Sequence, residues 1–486
     1  MTWKLLGVLL YLMVLVLIGV LASRRMKDLR EYFVGGKRMG FWSVAFSARA
    51  TGESAWLLIG LTGLGATVGV RAFWVVIGEV LGVAGGWLLM ARRFKRSTDA
   101  CDAVTVPDWL EARFDDQTHA LRKVAAGALV VFVMIYVSAQ IDATGKAFES
   151  FLGWNYFAGA LLGFCIVLLY TTFGGFVAVV WSDVFQGTIM VLGLVTLPIV
   201  GFIAAGGPGE VFDGLWAQDP GLLTWSGTEG MSAVGIATTL SYLCIGIGFL
   251  GSPQVFVRFI SLRSEDEIPR GATVAIVWTV LADSGAVLVG ILARHLVGET
   301  GEDALARLVE HLMPSLLVGL YIAIVLAATM STVDSLLIVG ASAAVRDWYQ
   351  KIRRPDLDDM TLVALCRRAT IGLAMMALLL AMIVAVSSED RTVFWYVIFG
   401  WSGIAATFCP TVILALFWNG FTRRGAFAAM VTGFVGVPFF AFGAPRLPGY
   451  GEVFGALGEL LPAFVLSAAV GVLVSLLDRD GRSASS

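Results

Sequence analysis

Charge is scarce in this chain of 486 residues. Asp, Glu, Lys and Arg make up 14% of it, against about 25% in a soluble domain. Histidine is scarcer still. His119, His295 and His311 all fall near or outside the ends of apolar runs, so metal-dependent hydrolysis inside a membrane lacks its ligands. The five cysteines (Cys101, Cys165, Cys244, Cys366, Cys409) have neither ligand nor disulfide spacing, which argues against a disulfide framework and a thiolate metal centre. A net charge of −2 carries no message about nucleic acid. No nucleophile and base are placed together, so an enzyme is not expected.

What remains is apolar. Hydrophobic residues make up 58% of the chain, and its mean hydropathy is +0.83. Apolar runs approaching or exceeding the roughly 20 residues needed to cross about 30 Å of hydrocarbon recur from end to end. We read thirteen spans, at 3–23, 41–62, 66–91, 122–150, 155–171, 175–205, 231–257, 269–294, 312–345, 366–387, 393–417, 424–443 and 453–477. This pattern predicts an all-α polytopic membrane protein whose partner is the lipid bilayer.

The first span ends in "LAS", as a cleavable leader does. However, its basic cluster, Arg24, Arg25 and Lys27, follows the apolar core instead of preceding it, which suits an uncleaved helix. With the N-terminus outside, loops 24–40, 92–123, 258–270, 346–368 and 418–425 and the C-terminal tail face the cytoplasm. They hold 26 of the 34 Lys and Arg residues. That asymmetry predicts a multi-pass protein of the inner (plasma) membrane with its N-terminus outside and its C-terminus in the cytoplasm. The Gly/Pro/Asp-rich segment 206–230 reads as a short outer cap.

Two spans are interrupted. The second contains "ATGESAWLLIG", residues 50–60, and is predicted to unwind at Thr51–Gly52. The seventh reads "CIGIGFLGSPQVFVRF", residues 244–259, where three glycines and Pro253 weaken the helix. Unwound backbone at membrane depth is tolerated where it is buried in protein or lines a cavity. Each break opens a set of five spans, and an odd number inverts the second set. We therefore expect one transporter domain over 1–486: a first helix at 3–23, repeats at 41–205 and 231–417, and two helices within 424–477. Inverted repeats with broken first helices point to a secondary transporter whose site lies where the breaks meet.

The ninth span adds "LAATMSTVDSLL", residues 326–337. Ala328 and Ser331 share a helix face. The adjacent hydroxyls Ser331 and Thr332 either bond back to their own helix or join freed carbonyls around a hard cation such as sodium. Asp334, one turn on, is too costly in a membrane to be incidental. Asp142 and Lys146, four apart with the acid first, are expected to pair within their helix; a substrate-ammonium role for Asp142 is the alternative.

Several longer stretches occur in an order that resembles the sodium:solute symporter family, on its sodium/proline branch. They are "EYFVGGKRMG", "SARATGESAWLLIGLTG", "VTVPDWLEARF", "YTTFGGFVAVVWSDVFQ", "GSPQVFVRF", "AATMSTVDSLL" and "LFWNGFTRRGAFAAMVTG". The resemblance implies a LeuT-like core of two inverted five-helix repeats, with inward Na+ flux driving uptake of a small solute by alternating access. It also implies a sodium site made by the carbonyls of Ala50, Glu53 and Ala328 and the hydroxyls of Ser331 and Thr332. Asp183 in "VWSDVFQ" matches an aspartate that in some members joins a second sodium site. Around the centre of such a fold, Trp56, Tyr136, Gln140, Phe249, Ser252, Trp401 and Ser402 are expected to line the solute site, with Phe249 as an inner hydrophobic gate.

Departures bear on the solute. Proline transporters that resemble this chain carry aspartate where it has Gly52, and Trp and Tyr where it has Ile245 and Phe249. Proline, another small amino acid or another small carboxylate is the implied solute, because the amide-rich ends of broken helices suit a carboxylate. The alternative from another class is a transporter-like sensor module acting with a separate signalling partner.

Overall fold

The computed structural model describes residues 2–23, 29–388 and 391–478; Arg24, Arg25 and Lys27 lie outside them. Among the described residues the chain is helical apart from its loops and an isolated bridge between Met39 and Leu262. Eleven helices among the described residues are long and apolar enough to cross a membrane. One of these, Phe41–Ala100, turns at Gly69 (φ +61°) and so makes two passes. With the shorter apolar helix Tyr156–Leu168, the thirteen expected spans are accounted for.

The membrane helices are α1 (Thr2–Ser23), α2 (Phe41–Ala55), α3 (Phe73–Ala84), α4 (Ala120–Leu152), α5 (Tyr156–Leu168) and α6 (Gly175–Ala204). The second half has α7 (Ala233–Cys244), α8 (Pro253–Ser261), α9 (Ile268–Val297), α10 (Ser315–Ser342), α11 (Asp359–Ser387), α12 (Val393–Phe417), α13 (Arg423–Pro438) and α14 (Leu460–Leu477). Helices α10 and α12 lie deepest, whereas α1, α11 and α14 expose most of their apolar surface, as helices facing lipid do. Segment 206–230 is more ordered than a plain loop, with a helix at Pro208–Gln218 and a tight turn at Pro220–Leu223.

The break in α2 falls two residues later than expected. Gly52 keeps helical geometry, and the backbone turns at Ser54 (φ +52°, ψ −167°). Capping sets the position. The amide of Ala55 donates to Gln140 Oε1 at 3.0 Å, and that of Trp56 to Ser54 Oγ at 3.3 Å, so groups freed by the turn find side-chain partners. The break between α7 and α8 has the expected form. A tight turn at Ile245–Leu250 leads to Ser252 and then Pro253, which starts α8 where no amide donor is needed.

Glycine lets these pieces approach. A Cβ on Gly246 would collide with the backbone of Gly78, and one on Gly82 with that of Gly246. Thus α3 runs against the second break at backbone contact, the use small residues serve in membrane packing. Helix α2 is held between α6, α9 and α10.

Candidate functional site

The first break rests on α10. Ser331 Oγ donates to the carbonyl of Ala50 at 2.9 Å and shares the carbonyl of Ala328 at 3.1 Å. Thr332 Oγ1 donates to the carbonyl of Thr51 at 3.0 Å. All these residues are buried. The structure therefore gathers Ala50, Ala328, Ser331 and Thr332 around one point between α2 and α10. The Glu53 carbonyl accepts the amide of Trp56, and the Thr51 carbonyl is the one that meets Thr332. Hydroxyl and carbonyl oxygens converging in a buried interior suit a hard cation.

Asp183 of α6 sits at the neighbouring turn of α2. Its Oδ2 takes hydrogen bonds from Ser47 Oγ at 2.6 Å and Thr51 Oγ1 at 3.4 Å, and Arg258 Nη2 lies 3.3 Å away. The guanidinium also donates to Ser47 (3.1 Å), to Thr51 (2.8 Å), to the carbonyl of Gln254 (2.6 Å) and to Ser335. Arg258 was not foreseen here. Reading the seventh span to residue 257 counted it with the cytoplasmic loop, yet α8 continues to Ser261 and buries it. Its partners explain why the membrane interior tolerates it.

Six of the seven expected solute residues surround the two breaks. Phe249 and Trp401 pack with ring centroids 5.0 Å apart, and Trp401 meets Tyr136 edge-on at 6.5 Å. The Trp401 indole donates to the carbonyl of Ile245 at 2.9 Å, within the second break. Gln140 caps the first break, and Trp56 follows it directly. Ser252 lies against the Cys409 thiol at 3.9 Å, and Ser402 is buried in α12.

The expected Asp142–Lys146 pair is not formed. Asp142 instead accepts from the Tyr156 hydroxyl at 2.6 Å and from Arg391 Nε and Nη2 at 2.8 and 2.7 Å, and Lys146 reaches Glu302 at 3.3 Å. A forked guanidinium from a neighbouring segment outcompetes a single ammonium one turn away. Asp142 is thereby engaged in joining segments. Two further carboxylates went unremarked in the sequence, Glu79 of α3 and Asp283 of α9. Each is a lone acid inside an apolar span, and that cost was the available signal.

Two broken helices whose freed backbone groups meet buried hydroxyls and aromatic rings at mid-bundle define a secondary transporter. The model of the sodium:solute symporter family matches residues 32–433, and the chain belongs to that family. It is a sodium-coupled solute symporter, a multi-pass membrane protein with Na+ as its coupling ion, and not an enzyme. The high-affinity proline transporter PutP of Bacillus subtilis (strain 168) is 35% identical over 95% of this chain and 96% of its own. A sodium/proline symporter of Staphylococcus aureus is 33% identical over 96% and 91%. Among solved structures, a Na+-coupled sialic acid symporter in a substrate-bound outward-open state superposes with a TM-score of 0.79 at 20% identity, covering 98% of this chain and 97% of that one. The fold is therefore LeuT-like, with a core of two inverted five-helix repeats.

Proposed function

We propose that the chain imports proline, or another small amino acid or carboxylate, together with sodium by alternating access. The single observation that carries the reading is the contact of Ser331 and Thr332 with the carbonyls of Ala50 and Thr51 beside the first break. In this reading sodium is held by the carbonyls of Ala50, Glu53 and Ala328 and the hydroxyls of Ser331 and Thr332. Bound sodium draws α2 onto α10, and a site assembled from both helices ties ion binding to the solute centre beside it.

The solute lies among Trp56, Tyr136, Gln140, Phe249 and Trp401, with Ser252 at the start of α8, Ser402 next to Trp401 on α12 and Phe249 as the inner gate. Its carboxylate faces amides freed at the breaks. Asp183 contributes through Arg258 and Ser47, as a lock between α6, α8 and α2. The two names quoted above that specify proline support an amino-acid solute. The chain acts as one transporter domain over 1–486, with its first helix at 3–23, repeats at 41–205 and 231–417 and closing helices within 424–477. It lies in the plasma membrane with its N-terminus outside and its C-terminus in the cytoplasm.

Sodium-gradient-driven uptake in proteoliposomes, screened across labelled amino and organic acids, tests the reading. Proline or a small amino acid should accumulate with an inward sodium gradient and not without one. Accumulation that ignores sodium, or none for any such solute, overturns it.

A further inference from the structure

Three carboxylates converge on the side of α2 formed by α3 and α9. Oxygen atoms of Glu53, Glu79 and Asp283 all lie within 4.8 Å of one another, and all three side chains are buried. The basic group among them is Arg49, itself buried, which is ion-paired with Glu53 and 3.7 Å from Glu79 Oε2. Its guanidinium is covered by the rings of Phe249, 4.5 Å from the centroid, and Trp278, 5.6 Å from the centroid. One cation thus faces three acids. Among the described residues, neither oxygen of Asp283 has a hydrogen-bond partner, nor has Glu79 Oε2. Buried carboxylates left in this state are unfavourable unless positive charge joins them.

We infer that Glu53, Glu79 and Asp283 form a second cation site, taking a bare sodium ion beside the one at Ser331 and Thr332. Two features identify the ligand class. Carboxylate oxygens are hard donors, and the three lie within 4.8 Å of one another in a fully buried cluster, the dimensions of a site for one small cation. Asp183 is a poorer candidate for a second ion, because the Arg258 guanidinium already lies against the oxygen it presents to Ser47 and Thr51. The new site shares α2 with the first. Ala50 and Glu53 are one turn apart, so an ion in each site fixes the same segment, one against α10 and the other against α3 and α9.

The inference rests on the sodium-coupled reading above, and the test separates the two. Equilibrium binding of radioactive sodium to the purified full-length protein, without solute, should give two ions per chain with a Hill coefficient above one. Asp283→Asn and Glu79→Gln should each lower this to one ion. Ser331→Ala with Thr332→Ala should also lower it to one, by loss of the other ion. Size-exclusion profiles and thermal unfolding identify properly folded variants, and either carboxylate variant suffices. One ion in the wild type, or two retained in a folded Asp283→Asn or Glu79→Gln protein, overturns the second site alone. No bound sodium in the wild type overturns the coupling reading and this inference together.

Discussion

A Cβ placed on Gly52 would lie 2.6 Å from Cε1 of Phe249, so the two breaks meet at a point with no room for a side chain on α2. An aspartate at position 52 and the Phe249 ring in its present position compete for the same volume. Gly52→Ala should therefore reduce uptake at least tenfold by forcing the ring aside, an overpacking cost of about 1–3 kcal/mol. Adding Phe249→Leu should recover part of the loss in a double-mutant cycle. Strictly additive effects of the two changes would show that the contact does not matter.

The cation site gives the second prediction. Ser331→Ala combined with Thr332→Ala should raise the sodium concentration for half-maximal uptake at least tenfold. Losing two oxygen ligands should cost more than about 1.4 kcal/mol, which is that factor. Unchanged sodium dependence in a folded double variant removes these hydroxyls from the site.

The Asp183–Arg258 pair gives the third. Arg258→Gln leaves Asp183 buried without its cation, and breaking a buried pair from one side costs about 3–5 kcal/mol. Asp183→Asn together with Arg258→Gln should unfold at a higher temperature than Arg258→Gln alone. A double variant less stable than both single variants rules out charge pairing as the role of this contact.

A fourth prediction concerns acid. In the short helix Val106–Arg113, Asp108 lies 2.8 Å from Arg122 and 3.3 Å from Arg346, and Glu111 lies 2.7 Å from Arg122. Burial opposes ionisation of both acids, yet the guanidinium groups outweigh it and hold both carboxyls below their ordinary range. Carboxyls depressed in the folded state add stability that is present above their unfolded values. It is lost as pH falls through the folded ones. Thermal stability should thus decline below about pH 4, and the decline should be shallower in Asp108→Asn. An identical acid profile in that variant contradicts the assignment.

The sequence revealed the membrane class, the broken spans and the Ser331–Thr332 pair, because hydropathy, glycine, proline and hydroxyls act locally. What it concealed was set by neighbours distant in sequence. The backbone turns at Ser54, not at Gly52, because Gln140 on α4 caps the freed amide there. Asp142 chooses Arg391, 249 residues away, over Lys146 on its own helix. Arg258 looked like a loop cation because its partners Ser47, Asp183 and Ser335 come from other helices. Spacing along one helix does not specify which side chains from other helices will meet it.

Glu53 offers the sharpest test of how charge is arranged around the first break. Its carboxylate is ion-paired with Arg49 on the preceding turn, while Glu79 and Asp283 lie beside the same guanidinium. Glu53→Gln keeps the size of the side chain and should fold. It also frees Arg49, which can then pair with Glu79 and Asp283 and cancel the negative charge that attracts a cation. Uptake should fall at least tenfold and need more sodium. Replacing both residues, Arg49→Gln with Glu53→Gln, removes one charge of each sign and leaves Glu79 and Asp283 facing the ion. The double variant should therefore transport better than Glu53→Gln alone, a non-additivity expected of groups in contact. Uptake and its sodium dependence, measured for the two single variants and the double, decide the matter. Full transport by Glu53→Gln would mean that only the backbone turn at Ser54 matters. A double variant no better than the single would mean that Arg49 is not the group that balances Glu53.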